Sequence, residues 1–123
     1  MRIYVAGKFE DRENVRRIQN ALRELGHTIT FDWTTDEFRN REATTKDILL
    51  CTEGAKSADV YVGLFEKSLP YKGALVEMGV CLGLGKECCI IGHAIDSCIF
   101  CFHSLVKRFG NKEEFLVYAK ENY

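Results

Sequence analysis

Short apolar runs alternate along this chain with longer segments of helical spacing, and this alternation constrains the fold more than any other feature. Strands are predicted at residues 2–7, 27–33, 59–65 and 87–92, with a short fifth at 98–102. Helices are predicted at residues 11–26, 44–57, 73–85 and 111–123. Strands that alternate with helices form right-handed βαβ units, so we expect a mainly parallel sheet covered on both faces.

The fold class that follows is α/β, a flavodoxin-like or Rossmann-like three-layer sandwich with five strands in the order 2-1-3-4-5. Its 123 residues predict a single domain, residues 1–123. The polar segment 34–43 is predicted to be a loop. Ligands of such sheets bind at the carboxyl ends of the strands, near the point where the strand order reverses. The loops at 7–9, 66–73 and 92–97 are therefore predicted to surround one crevice.

Charge and hydropathy narrow the range of partners. The net charge is −1 and the pI is near 6.3, so no basic field favours nucleic acid as a partner. No apolar run approaches the ~20 residues of a membrane span, and we expect no membrane partner. The apolar run at the amino terminus is too short for a signal peptide, which predicts a cytoplasmic protein. In that compartment the six cysteines are expected to be free thiols.

One segment resembles a metal or redox site. His93 and His103 flank a C-x-x-C pair, Cys98 and Cys101, and all four are possible metal ligands. Residues 98–102 are β-branched and aromatic and predict a strand, in which residues i and i+3 point to opposite faces. No second C-x-x-C pair completes four ligands. We predict no metal and no cofactor, and keep a metal- or redox-binding protein as a third hypothesis.

Glu77 is a single carboxylate in the middle of an apolar helix. A helix that is apolar on all sides is normally buried, and glutamate is rarely buried without a partner. One interpretation is a helix-start acid favoured by the macrodipole, with Lys72 or Lys86 nearby. The other is a carboxylate whose pKa is raised by its surroundings, which is typical of a nucleophile or an acid–base group.

Three segments resemble the nucleoside 2-deoxyribosyltransferase superfamily, which includes the 2'-deoxynucleoside 5'-monophosphate N-hydrolases. They are MRIYVAGKF at the amino terminus, ADVYVGLF before a loop, and GALVEMGVCLGLGK. The most specific element is the G-x-x-x-E-x-G pattern of Gly73, Glu77 and Gly79, and the resemblance extends to about Phe102. It implies that Glu77 is the nucleophile that attacks C1' of the deoxyribosyl group, with net retention. It also implies that Tyr4 orients Glu77, although a strand aromatic has the same pattern.

The chain departs from the family pattern at two acids. Counting back eight residues from Asp59 to the family's catalytic aspartate gives Cys51. Asp47 lies one helical turn earlier on the same face and is the candidate substitute, or else the capping residue of its helix. A second acid of the family transferases corresponds to Tyr71. These departures favour an alternative, a non-catalytic nucleotide-binding module of the same fold.

Further substrate-binding residues are predicted around the crevice. Gly7, Lys8 and Phe9 form the loop after the first strand, where backbone N–H groups and Lys8 or Arg12 could hold a 5'-phosphate. Trp33 either stacks against a base or belongs to the core. Gly73 belongs to the family motif. The resemblance places Asp96 and Ser97 where family members send residues into a neighbouring subunit's site, and it implies a homo-oligomer, a dimer or larger.

The leading hypothesis is an enzyme that cleaves or transfers the N-glycosidic bond of (deoxy)nucleosides or their 5'-monophosphates. The resemblance implies a covalent glycosyl-glutamate intermediate. Lys8 and Arg12 favour a nucleotide hydrolase, and the two absent acids count against an efficient transferase. Which base and sugar are bound, and whether water or a second base accepts the sugar, are left open by the sequence.

Overall fold

The computed structural model describes residues 1–35 and 44–123. Its five strands are β1 (Arg2–Ala6), β2 (Thr28–Ile29), β3 (Val60–Leu64), β4 (Glu87–Ile91) and β5 (Val106–Phe109). The four α-helices are α1 (Arg12–Glu24), α2 (Thr45–Ser57), α3 (Lys72–Gly83) and α4 (Lys112–Asn122). Two 3₁₀ helices cover Phe9–Asp11 and Ile99–Phe102. Most of the predicted loop at 34–43 lies outside the described residues.

The predicted fold class and strand order are confirmed. The strands form one sheet in the order β2-β1-β3-β4-β5, and every neighbouring pair is parallel. Helix α1 contacts α4, and α2 contacts α3. Right-handed crossovers place these two pairs on opposite faces of the sheet. All five residues of β3 are buried, as expected for a central parallel strand covered on both faces.

The predicted position of the fifth strand is wrong. Residues Ile99–Phe102 form a 3₁₀ helix, in which the side chains of Ile99 and Phe102 are 76% and 78% exposed while Cys101 is buried. The strand that completes the sheet is β5, whose Lys107 and Arg108 are exposed. Charged side chains are common on edge strands because they oppose pairing with other chains.

Two other elements differ from the prediction: strand β2 is shorter, and helix α3 is less buried. Only Thr28–Ile29 of the predicted strand at 27–33 pairs with the sheet. Helix α3 is apolar apart from Lys72 and Glu77, yet only one of its faces is buried, that of Ala74, Met78, Cys81 and Leu82. On the other face Val76 is 69% exposed. Among the described residues, no helix combines the length and the apolar composition needed to cross a bilayer.

Two features fix the position of helix α2, a cap at its N-terminus and a close contact with the sheet. It begins at the predicted residue, since the Thr44 side chain and the Asp47 carboxylate form a capping box. At Gly54 the helix approaches the sheet so closely that a Cβ atom would lie 3.1 Å from the Tyr4 ring and 2.7 Å from Phe31. This glycine allows α2 to pack directly over Tyr4.

Candidate active site

A cavity of about 890 Å³ opens at the carboxyl ends of β1 and β3. The strand order reverses between these two strands, which is where ligands of open α/β sheets bind. Its walls are the loop after β1, the first turns of α2, Trp33, and the segment that leads into α3. Tyr4 and Glu77 are both lining residues.

Glu77 faces the sheet from the second turn of α3. Its Oε2 accepts a hydrogen bond from the Tyr4 hydroxyl, which rises from the middle of β1. Tyr4 is 1% exposed and packs beside Tyr61, with the ring centroids 6.4 Å apart. The Tyr61 hydroxyl donates to the Ala74 carbonyl at 2.6 Å and so fixes the first turn of α3. The two tyrosines therefore hold both the carboxylate and its helix.

The environment of Glu77 opposes its ionisation. Burial raises the pKa of Glu77 to about 7, and the hydrogen bond from Tyr4 lowers it in part. Burial, and then the charge of Glu77, raise the pKa of Tyr4 well above its usual value, so Tyr4 stays a proton donor. Lys86 donates to the carbonyls of Lys56 and Ala58 rather than to Glu77.

Cys51 lies beside this pair, at the position where the sequence resemblance implies an aspartate. Burial, and then the charge of Glu77, raise the pKa of its thiol to about 11, so the side chain is neutral at pH 7. One turn earlier, Asp47 is 6% exposed and lines the same cavity. Its Oδ2 accepts from the backbone N–H and the hydroxyl of Thr44, at 2.9 and 3.0 Å. The capping role of Asp47 is thus observed, and its proposed role as an acid stays a prediction.

The loop after β1 forms one wall of the cavity. Gly7, Lys8 and Phe9 are lining residues, and Lys8 Nζ donates to the Pro70 carbonyl at 2.9 Å. Arg12 is not a lining residue. Its guanidinium lies 4.5 Å from the centre of the Phe9 ring and donates to the Phe9 carbonyl at 3.1 Å. Arg12 therefore supports the loop from outside.

Trp33 belongs to both the core and the cavity. It is 8% exposed, and its indole Nε1–H donates to the Val5 carbonyl at 2.8 Å. Trp33 nonetheless lines the cavity, as does Gly73 in the first turn of α3. The hydrogen bond fixes the plane of the indole, so the ring is a rigid wall.

The predicted contribution of residues 92–97 to the crevice is wrong within this chain, because none of them lines the cavity. Asp96 instead pairs with Arg108 and with His93, whose Nδ1 lies 3.1 Å from Asp96 Oδ2. Ser97 is exposed. The prediction that Asp96 and Ser97 act in a neighbouring subunit's site stays a prediction.

Sequence reasoning missed several lining residues, among them Glu10, Ile48, Thr52, Lys72 and Val76. Ile48 and Thr52 are four residues apart, as are Asp47 and Cys51, so each pair lies one turn apart along α2. In the described parts of the chain, no group of three or more histidine, cysteine, aspartate or glutamate side chains is placed to hold a metal ion.

Comparison with known proteins supports the fold. No protein-family model matches the sequence, and no curated protein matches it at a significant level. Among solved structures, the chain is similar to the CMP N-glycosidase BcmB of Clostridium botulinum. The two are 15% identical with a TM-score of 0.65, over 98% of this chain and 99% of that chain.

Two further structures have the same architecture. A 2-deoxyribosyltransferase from Bacillus psychrosaccharolyticus is 22% identical with a TM-score of 0.67, over 100% of this chain and 92% of that chain. A conserved protein from Enterococcus faecalis V583 is 15% identical with a TM-score of 0.62, over 100% of this chain and 99% of that chain. These three structures confirm the fold that the sequence predicts.

Proposed function

We propose that this protein is an enzyme that cleaves or transfers the N-glycosidic bond of (deoxy)nucleosides or their 5'-monophosphates. The observation that carries the proposal is the Tyr4–Glu77 pair inside the switch-point cavity. The two structural neighbours of named activity, an N-glycosidase and a deoxyribosyltransferase, support it. Among substrates, we favour the 5'-monophosphates, because two lysines line the same cavity.

Glu77 acts as the nucleophile in this proposal. Its ionised Oε1 attacks the anomeric carbon while Tyr4 holds Oε2, and the bond from that carbon to the base breaks with its electron pair on the base. Water then displaces the glutamate from the glycosyl ester, so the configuration is retained after two inversions. A pKa of about 7 leaves a large fraction of Glu77 ionised at neutral pH, without the full hydration shell of an exposed carboxylate.

The departing base needs a proton, and Asp47 is the proposed donor. Asp47 lines the same cavity, one helical turn from Cys51. A thiol with a pKa of about 11 is a weaker acid than a carboxyl group, so Cys51 is a poor substitute for the family aspartate. To protonate the base, the Asp47 carboxyl group must either leave the capping box or carry its proton while it remains hydrogen-bonded to Thr44.

A 5'-phosphate would bind where α3 begins. The N-cap residue Tyr71 makes no side-chain capping bond, so the first N–H groups of the helix are available to an anion. A Cβ atom at Gly73 would have no neighbour within 4 Å, so the backbone there is open to a ligand. Lys8 and Lys72 both line the cavity and supply positive charge.

The test compares wild type with Glu77→Gln on a panel of nucleosides, deoxynucleosides and their 5'-monophosphates, with and without an acceptor base. Released or exchanged base is followed by chromatography. We expect turnover to fall by at least ~100-fold in Glu77→Gln, as is typical when a nucleophile is removed. The control Glu113→Gln changes an exposed carboxylate on α4 and should keep full activity. Dependence on the acceptor distinguishes a transferase from a hydrolase.

The position of Cys51 favours a second candidate, a non-catalytic nucleotide-binding module. Wild type would then bind a 5'-monophosphate in a calorimeter and release no base from any member of the panel. Retained turnover in Glu77→Gln would reject the glycosyl-glutamate mechanism.

Lys8→Met should weaken binding of monophosphates and leave binding of nucleosides unchanged if the phosphate site is correct.

We also propose that the protein is a homo-oligomer. On the neighbouring helices α2 and α3, Ile48, Leu49 and Val76 are 60%, 63% and 69% exposed. Ile48 and Val76 also line the cavity, so a second copy on this surface would narrow the mouth of the site. Light scattering should detect a dimer or larger species that Leu49→Lys dissociates. Val117→Lys, a change on the opposite face, is the control.

A further inference from the structure

Cys98 and Cys101 are brought together by the 3₁₀ helix that replaces the expected strand. In a strand, residues i and i+3 point to opposite faces, whereas a 3₁₀ helix has three residues per turn and places them one above the other. Cys98 is the N-cap residue of this helix, and its carbonyl accepts the i→i+3 hydrogen bond from the Cys101 N–H. A turn of this kind brings the two Cα atoms to within ~7 Å, which overlaps the range that disulfides span.

Hydrogen bonds fix this turn. The Cys98 N–H donates to the Ile95 carbonyl at 2.8 Å, and the Cys101 N–H donates to the Cys98 carbonyl at 3.1 Å. The Cys101 thiol lies 3.4 Å from the Ile95 carbonyl. The Cys98 thiol is near enough to be among the groups that raise the pKa of Cys101, after burial, which is the largest cause.

The two sulfur atoms differ in accessibility. Cys101 is 3% exposed, whereas Cys98 is half-buried and lines a small cavity against α3. The other four cysteines lack this arrangement. Cys81, Cys88 and Cys89 are fully buried. Cys88 and Cys89 are also neighbours in β4, so their side chains point to opposite faces of the sheet. Cys51 lies in the main cavity.

We propose that Cys98 and Cys101 form a dithiol site that small disulfides of the glutathione class oxidise to an intramolecular disulfide. Cys98, as its thiolate, attacks one sulfur of oxidised glutathione, forms a mixed disulfide and releases one reduced glutathione. Cys101 loses its proton and attacks the Cys98 sulfur, which releases the second. Two protein thiols are oxidised, and one glutathione disulfide is reduced to two thiols.

The dithiol lies against the helix that carries Glu77. The small cavity that Cys98 lines is formed on the other side by Leu75, Val76, Met78 and Gly79, the residues that surround Glu77 on α3. A disulfide would remove the Cys101 thiol proton from the Ile95 carbonyl and stiffen the turn against this helix. The dithiol itself does not depend on the proposed glycosidic activity.

The experiment treats the folded chain with oxidised glutathione, quenches free thiols by alkylation, and measures the intact mass. We expect the loss of two hydrogen atoms with no glutathione retained. Chymotrypsin cleaves after Phe100, between the two cysteines, so the disulfide leaves two peptides joined to each other. In Cys101→Ser the reaction should stop at one glutathione adduct on Cys98, and Cys98→Ser should resist at the same dose.

Three results would overturn the proposal: a glutathione adduct that persists in wild type, a disulfide that involves another cysteine, or equal reactivity of Cys98→Ser and wild type. Absence of any reaction in the folded wild type would also reject it. Thermal melts of both serine variants check their folding, and the wild-type titration decides the question even if one of them unfolds.

Discussion

The hydrogen bond from Tyr4 should lower the pKa of Glu77, and Tyr4→Phe removes it with little change in shape. The phenyl ring keeps its packing against Tyr61 and under Gly54. A hydrogen bond to a charged group contributes about 1.5–3 kcal/mol, and 1.36 kcal/mol corresponds to one pH unit in a pKa. Starting from about 7 in wild type, the pKa of Glu77 in Tyr4→Phe is expected to rise by about one to two pH units.

Carbon-13 NMR of the side-chain carboxyl groups measures this pKa without any substrate. The Glu77→Gln variant identifies the resonance, because its signal is missing there. Tyr61→Phe is the matched control, since the Tyr61 hydroxyl donates to the Ala74 carbonyl and not to Glu77. In this control the Glu77 pKa should stay close to its wild-type value. If the enzyme is active, the acidic limb of kcat/KM should move to higher pH in Tyr4→Phe alone.

An unchanged or lowered Glu77 pKa in Tyr4→Phe would refute the reasoning. It would mean that Tyr4 does not stabilise the ionised carboxylate, and that Glu77 depends on another donor. An equal rise in Tyr61→Phe would also refute it, because a general loosening of the site would then explain both results.

Three further predictions concern stability. The pKa of Glu77 is about 7 in the folded chain and 4.5 for a free side chain, so the folded chain binds more protons between these pH values and wild type loses stability as the pH rises. Glu77→Gln does not titrate. Thermal melts from pH 4 to pH 8 should therefore show its free energy of unfolding increase relative to wild type by up to about 3 kcal/mol. Thr44→Ala should cost about 1 kcal/mol in urea denaturation, because it removes the side-chain cap of α2, and no loss would contradict the capping box. Gly92→Ala should lower the free energy of unfolding by about 2 kcal/mol or more in the same urea assay, because φ is +95° and a Cβ atom would lie 2.5 Å from the Phe65 carbonyl oxygen. Gly79→Ala is the control. A Cβ atom there would have no neighbour within 4 Å, so this change should be neutral or stabilising.

The architecture was predictable because each central strand is a short, nearly continuous apolar run. Strand β3 shows the cause, since burial on both faces selects apolar side chains at every position. Edge strands are under no such selection. Strand β5 carries Lys107 and Arg108 and so lacks a continuous apolar run, whereas the apolar segment 98–102 has one and was predicted as the strand.

The pairing of Tyr4 with Glu77 was predictable only through the family resemblance. Tyr4 and Glu77 are 73 residues apart, and no periodicity relates a strand residue to a helix residue at that distance. The mouth of the cavity was harder to predict, since Lys72 and Val76 resemble ordinary helix residues in the sequence. Their role follows from how α2 and α3 pack above the sheet, which Gly54 makes possible by its contact with Tyr4.

The apolar character of α3 explains why Glu77, the proposed nucleophile, has a pKa of about 7. Glu77 lies three residues after Ala74 and four before Cys81, so it shares the face that packs on the sheet. Burial on that face raises its pKa to about 7, and the Tyr4 hydroxyl prevents a larger rise. A second carboxylate at Cys51 would add a like charge beside Glu77 and raise its pKa further. The neutral thiol at this position therefore keeps Glu77 able to ionise. In the proposed mechanism the proton for the leaving base then comes from Asp47, which lines the same cavity.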